Sequence, residues 1–564
     1  MLQGRGLTLL CAGLAFASLA HAKDFPAVPG QFVVKMKHNL SATGMRALTK
    51  TLNADKVELI TPESQALLVT RSAVETAAYS LQSLHQAAGV EYAEPNYIYK
   101  INGFQGTPND AKFGVLWGMN NTGQLTPGNS DEGTPDVQGV PGVDIGALQA
   151  WMIETGSKDV KIAVIDTGID YTIPDLVANV WTNQVELNGK AGVDDDNNGC
   201  IDDIHGCNFV ANTGDPKDDH GHGSHVSGTI GASGNNGIGV VGVAWDTTIV
   251  GVKFLDASGS GSLDNAVKGI DYATRVGVKI MSNSWGGGGF SQAMLDSINR
   301  AKDAGILFIA AAGNAGSDND ATPAYPASYA ADNIISVAAI DAAGNLADFS
   351  CYGKTTVHVA APGEHVLSNV PTTTDASGFT NWSGTSMATP HVTGVAALLI
   401  SQHPEQTYAT IKARILAGAR PFGSLRGKMV SAGMVNAYYS LTDTAAPKDV
   451  NDPFYWPATP NVVSTPHPYA ANTKQSWTLN APGAAKIAIH FSKFDTEQGF
   501  DVVTLTDKNG TEIAKISGTK GEYYTPVING DTVTITLASD GSVQNYGFDI
   551  AEIMYQSSTS IATK

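Results

Sequence analysis

Hydrophobic and polar positions change rhythm twice along these 564 residues. Apolar runs of strand length at 32–36, 57–60, 66–70 and 92–100 are separated by stretches with helical spacing at 41–52 and 73–88. The order strand, helix, strand, strand, helix, strand predicts a split βαβ unit. Longer aliphatic runs follow at 160–166, 248–255, 279–284, 306–312 and 334–339, with amphipathic or apolar helical stretches at 263–276, 291–304 and 388–400. Near-continuous apolar strands alternating with helices predict a parallel sheet covered on both faces. Beyond a Pro- and Asp-bearing stretch at 442–460 the period falls to two, as at 485–491, 502–506 and 532–537, which predicts an antiparallel β-sandwich.

One serine stands out against this pattern. In Trp382-Ser383-Gly384-Thr385-Ser386-Met387-Ala388-Thr389-Pro390 it lies on a glycine-flanked turn just before a buried helix, with Pro390 placed in the first turn where no backbone donor is required. Unpaired N–H groups and the helix dipole favour an anion there, as an acyl-transfer transition state requires. The plainer reading is a helix-capping serine. A nucleophile also needs a base and a group that orients the base, and the chain supplies both. The run at 160–165 ends in Asp166-Thr167-Gly168-Ile169-Asp170, at the carboxyl end of a parallel strand. A glycine-rich loop, Asp219-His220-Gly221-His222-Gly223-Ser224-His225, sets His222 at the head of an apolar helix. The run at 306–313 ends in Asn314.

These segments, in the order Asp, His, Ser, resemble the subtilisin-like serine proteases, or subtilases. The resemblance implies that Asp166 orients the imidazole, His222 is general base and then acid, Ser386 is the nucleophile, and Asn314 joins the Ser386 N–H as an oxyanion donor. It also implies substrate segments: Gly259, Ser260 and Gly261 on one side of an extended peptide, Ser284, Trp285 and Gly286 on the other. The first-subsite pocket then lies between Ser284 to Gly286 and Ala311, Ala312 and Gly313, with Ala324 near its base. Small walls predict a large apolar or aromatic residue before the scissile bond. Three rivals differ in class. His220, His222 and His225 spaced as His-x-His-x-x-His would clasp zinc, but an aspartate is missing at Ser224. A lipase-type elbow needs Gly-x-Ser-x-Gly, and Met387-Ala388 follow the serine. A catalytically silent subtilase fold would serve as a binding or adhesive surface.

Residues 23–106 resemble a subtilase inhibitory propeptide with a ferredoxin-like α+β fold, so the expected product is a zymogen whose own propeptide is its intramolecular inhibitor. The expected organisation is 1–22 export signal, 23–106 propeptide, 107–441 catalytic domain, 442–460 linker, 461–556 sandwich and 557–564 polar tail. The export signal rests on Arg5, the apolar run 7–19 and Ala20-His21-Ala22, with cleavage after Ala22 and secretion as the consequence. No later segment is apolar enough to span a membrane.

A net charge of −19 opposes a nucleic-acid partner; proteins or peptides are the substrates that the resemblance implies. Of the cysteines outside the export signal, Cys200 and Cys207 flank a short loop and are the favoured pair, leaving Cys351. That loop follows Asp194-Asp195-Asp196-Asn197-Asn198-Gly199, where oxygen ligands at alternate positions ahead of glycine match a calcium loop. Asp194, Asp196, Asn198, the Cys200 carbonyl and Asp202 or Asp203 are the expected ligands; an acidic solvated turn is the alternative. Family resemblance adds a second calcium candidate at Asp110, Asp175, Asn236, Ile238 and Val240. The sandwich resembles a CUB domain through Phe494-Asp495-Thr496-Glu497, Phe500-Asp501 and Ser539-Asp540, which implies a third at Glu497, Asp501 and Asp540. A cysteine-free protease appendage is the other reading of that domain.

Overall fold

The computed structural model describes residues 27–37, 48–61, 64, 66–71, 77–97, 106–128, 136–448 and 452–557. The export-signal reading at 1–22 lies outside them, as does nearly all of the tail at 557–564. The chain divides into two units, Met1–Asn102 and Gly103–Lys564.

In the first unit four strands form one antiparallel sheet in the order Lys56–Leu59, Ala66–Thr70, Ala27–Met36, Val90–Tyr97. Alternate residues Phe32, Val34, Leu67, Val69 and Ala93 point to one side, where Leu48, Leu52, Leu81 and Leu84 complete a small core. The first strand begins at Ala27, ahead of the expected 32, and the last begins at Val90. Pairing with a neighbour extends a strand beyond its apolar run.

In the second unit a nine-stranded sheet runs Arg420–Pro421, Gly433–Met434, Val359–Pro362, Ile334–Ile340, Leu307–Ala311, Ile280–Asn283, Gly156–Asp166, Asp246–Lys253, Gly206–Asn208. Every recorded pairing is parallel except that between the first two. Helices His222–Gly231 and Thr385–Gln402 pack on one face; Leu263–Val276 and Gln292–Asp303 pack on the other. The second pair carries a polar outer face, whereas Thr385–Gln402 is buried from Met387 through Leu399, as an all-round apolar helix must be. The short strands at 206–208, 359–362, 420–421 and 433–434 were not among the expected elements, because two to four residues carry no readable period.

The C-terminal part is a sandwich of two antiparallel sheets. One follows the order Ala458–Ser464, Gly547–Ser557, Ala484–Asp495, Thr519–Tyr524, and the other Lys474–Asn480, Thr532–Ala538, Val502–Asp507, Glu512–Ile516. Its core is closed by Phe491, Phe494 and Phe548. The first strand opens at Ala458, so pairing with Ile553 and Met554 already orders residues within the stretch read as linker.

Candidate active site

Three elements converge at the carboxyl edge of the sheet. Strand Gly156–Asp166 delivers Asp166, which is fully buried, and helix His222–Gly231 begins with His222. Their approach depends on glycine: a Cβ on Gly223 would meet the Gly168 carbonyl oxygen at 2.0 Å, so only a bare backbone lets the helix start lie against the turn after the strand. His222 Nδ1 then donates to Asp166 Oδ1 at 2.7 Å, which leaves Nε2 as the acceptor nitrogen of the neutral ring. Burial opposes protonation of His222, but the Asp166 charge, the hydrogen bond to it and the charge of Asp218 outweigh burial and hold its pKa above the ordinary 6.5.

Helix Thr385–Gln402 starts earlier than the apolar run suggests, and this corrects the expected place of Pro390. The proline lies beyond the first turn, where it removes a donor that the Ser386 carbonyl would have received. The Ser284 hydroxyl fills that gap, donating to the Ser386 carbonyl at 2.9 Å. Ser386 is therefore in the first turn itself, and its N–H is one of the helix's unpaired donors. Its hydroxyl donates to the Ser284 carbonyl at 2.8 Å, and no hydrogen bond joins it to His222 among the described residues.

Asn314 Oδ1 accepts from Thr385 N at 2.9 Å and Thr385 Oγ1 at 2.8 Å, which fixes the amide orientation and frees Nδ2 as a donor. A Cβ built on Gly384 would lie 3.4 Å from Asn314 Nδ2 and 3.5 Å from Ser386 N. The two donors thus border one small space. Gly313 N donates to Thr385 Oγ1 at 3.1 Å, tying the Ala311–Gly313 segment to the same turn.

Other groups here carried no readable motif. Asp218 is buried, and its carboxylate accepts from Thr167 Oγ1, His220 N, Gly221 N, Ser224 N and Ser224 Oγ at 2.7–3.0 Å. It joins the loop after Asp166 to the first turn beneath His222, and although burial raises its pKa, these hydrogen bonds bring it below the usual carboxylate value. Lys253, 2% exposed, donates to the carbonyls of Thr167 and Leu255 and to Asp219. Trp382 packs on all three imidazoles, 4.9 Å from His225, 6.2 Å from His222 and 6.4 Å from His220.

The zinc alternative does not match this geometry. Burial, with the neighbouring His222, pushes His225 down to about 3, and its Nε2–H donates to the carbonyls of Val366 and Thr380. The residues that gather three candidate ligand atoms among the described ones are carboxylates, not histidines.

Two expected substrate segments face each other across a cleft of ≈ 560 Å³, bounded by Gly259, Ser260 and Gly261 and by Trp285 and Gly286. Phe254, Phe290, Tyr325 and Tyr329 add aromatic walls. Outside that lining, a Cβ on Gly313 would lie 3.7 Å from the Ala324 Cβ and 3.2 Å from Cys351 Sγ, so Gly313, Ala324 and the buried Cys351 thiol are neighbours.

The sequence pattern of the subtilase family matches residues 157–452, that of the CUB domain 459–551, and that of the fervidolysin N-terminal prodomain 18–96. This chain belongs to the subtilase family. Subtilisin-like protease 1 of Plasmodium berghei is 38% identical over 53% of this chain and 52% of that protein. Thermitase of Thermoactinomyces vulgaris is 40% identical over 53% of this chain and 93% of thermitase, and the thermophilic serine proteinase of Bacillus sp. (strain AK1) is 34% identical over 66% and 79%. The chain spans about half the length of the Plasmodium relatives it matches. No described helix is long and apolar enough to cross a membrane.

The candidate calcium ligands of this subtilase lie in three places. In the loop after residue 194, Asp196 and Asp203 meet Glu186, which the local spacing did not indicate because it comes from the preceding helix Gln184–Leu187. Asp194 and Asp202 lie outside that group: Asp194 accepts from Asn198 N and Gly199 N, and Asp202 from Gly192 N. Cys200 donates its N–H to Asn198 Oδ1 and is bonded through sulfur to Cys207. Burial pushes Asp203 up to about 6 against hydrogen bonds from Tyr272, Asn198 and Asn183, with the Asp196 charge adding to the rise; a cation would relieve that cost, so the donor set fits one. In the second patch Asp175 accepts from Asn236 Nδ2 and Val240 N at 2.8 Å, and Asp110 from Asn235 N at 2.8 Å. Ile238 is 44% exposed there, with its N–H on Asn236 Oδ1. Burial raises both carboxyls. In the CUB domain Glu497, Asp501 and Asp540 bring ligand atoms within 4.8 Å of one another, and Glu497 Oε2 is buried with no hydrogen-bond partner.

Proposed function

We propose that this chain is a secreted serine endopeptidase, made as a zymogen, that hydrolyses peptide bonds with Asp166, His222 and Ser386. The observation that carries the reading is the 2.7 Å bond from His222 Nδ1 to buried Asp166, at the head of a helix whose neighbour presents Ser386 with its own N–H and Asn314 Nδ2 bordering one space. On substrate binding the Ser386 hydroxyl turns to His222 Nε2, which takes its proton as Oγ attacks the scissile carbonyl carbon. The oxyanion accepts from Asn314 Nδ2 and Ser386 N. The imidazolium, stabilised by Asp166, returns the proton to the leaving amine, and water repeats the cycle on the acyl ester. Asp218 is a positioning residue that holds the helix start.

The peptide backbone pairs with Gly259–Gly261 and Ser284–Gly286, and the small walls at Ala311–Gly313 and Ala324 favour a large apolar or aromatic residue before the scissile bond. Calcium is the cation that oxygen-only patches of this kind select, and it supplies charge neutralisation rather than chemistry. Glu186, Asp196, Asp203 and Asn198 would hold one ion, Glu497, Asp501 and Asp540 another, and Asp110, Asp175 and the 236–240 loop a third. The prodomain acts as intramolecular inhibitor until self-cleavage.

A fluorophosphonate probe tests the centre. Covalent labelling of the wild-type protein, lost in Ser386→Ala along with casein hydrolysis, is expected; a mature wild-type protein that neither labels nor cleaves casein overturns the reading. A peptide panel in which Arg or Lys outperforms Phe and Leu before the scissile bond overturns the pocket assignment alone.

A further inference from the structure

The catalytic and CUB domains line an open pocket of ≈ 610 Å³ between segments 420–428 and 519–526, with Asp452 and Pro453 on a third side. In a chain of net charge −19 its lining is basic: Arg420, Arg426, Lys428 and Lys520 against Asp452 and Glu522. Both carboxylates are already engaged. Asp452 Oδ2 accepts from Arg426 Nη2 at 2.8 Å, and Glu522 Oε1 from His490 Nε2 at 3.0 Å.

The cations retain donors to spare. Arg426 lies against the rings of Phe454, at 3.7 Å, and Tyr524, at 4.7 Å, and donates a hydrogen bond to the Tyr455 hydroxyl. Its Nη1 is nevertheless buried with no hydrogen-bond partner. Lys428 Nζ rests 3.8 Å from the Tyr352 ring centre. Burial lowers its pKa, Asp318 opposes the fall and Lys520 adds to it. Among the described residues neither Lys428 nor Lys520 forms an ion pair. A buried guanidinium donor without an acceptor and two like charges facing one space are both costs that an anion would remove.

We infer that this junction pocket binds a carboxylate-rich peptide segment. Its volume exceeds that of a single small anion and admits several residues, and Arg426 and Lys428 approach from the catalytic side while Lys520 approaches from the CUB side. An acidic stretch of a protein held there is anchored to both domains at once, by residues other than those that carry the proposed hydrolysis.

The test uses the whole chain and a fluorescein-labelled oligo-D-glutamate, whose inverted stereochemistry resists hydrolysis. Fluorescence anisotropy is expected to show saturable binding that weakens at least ten-fold in Lys428→Gln/Lys520→Gln and falls as salt rises. Hydrolysis of a short neutral peptide and the melting temperature check that this variant remains folded. Oligo-D-lysine binding as tightly, no saturable binding, or equal affinity in the variant overturns the inference. Displacement of the probe by inorganic phosphate at similar concentration also overturns it, in favour of a simple anion site. None of these outcomes depends on whether Ser386 is the nucleophile.

Discussion

At the scale of single residues, the proposed role of His222 as general base sets the expected pH response. It acts as base only when neutral, and Asp166 raises its pKa above 6.5 despite burial, so kcat/KM should fall as pH drops through that raised value and plateau on the alkaline side. In Asp166→Asn the acid limb should move to lower pH and kcat should fall by about four orders of magnitude, the loss known for the equivalent change in trypsin-like enzymes. A pH–rate profile of both proteins decides it; an unshifted limb would mean that another group titrates. Asn314→Ala removes one of the two proposed oxyanion donors and should lower kcat by about 10²–10³ with little change in KM, read by steady-state kinetics.

At the scale of elements, two helix starts are held by side chains that local propensity does not supply. Ser284→Ala leaves the Ser386 carbonyl without the donor that Pro390 denies it, at a cost of about 1–3 kcal/mol. Pro390→Ala restores a backbone N–H to that carbonyl, so the double variant should recover much of the loss; denaturant melts arranged as a double-mutant cycle measure the coupling. Asp218→Asn keeps the shape but loses acceptors for several N–H groups, and about 2–4 kcal/mol is expected. Because its hydrogen bonds depress the native pKa of Asp218, its contribution is present above the ordinary value near 4 and is lost as pH falls through the depressed one. Melting curves of wild type and variant should therefore converge in acid.

At the scale of the whole molecule, the proposed calcium sites bear on the net charge. With charge −19, two carboxylate clusters and the buried pair Asp110 and Asp175, removal of divalent cations should lower the melting temperature and speed autolysis. Glu186→Gln/Asp203→Asn should abolish only part of that response, because the CUB patch stays intact. Differential scanning calorimetry with and without EDTA distinguishes the contributions, and an unchanged melting temperature in both proteins would remove calcium from the account. The three-part organisation was legible because each part has its own hydrophobic period. Helix Leu263–Val276 begins and ends where its amphipathic pattern does. The strands of two to four residues were not legible, since their pairing is chosen by neighbours distant in sequence.

What the sequence determined by itself were the groups with local signatures: Asp166 closing an aliphatic strand, His222 among glycines, Ser386 before a buried helix, and the alternating acids around Asp196. Chemistry at each depends on a short stretch of backbone, and short stretches leave a pattern. Tertiary structure alone decided that Glu186 meets Asp196 and Asp203, that Ser284 serves the Ser386 carbonyl, and that Asp218 ties two loops together. Those contacts join residues whose separation along the chain is arbitrary, so no periodicity records them. They form because buried carboxylates and carbonyls must find partners wherever the fold brings donors within reach.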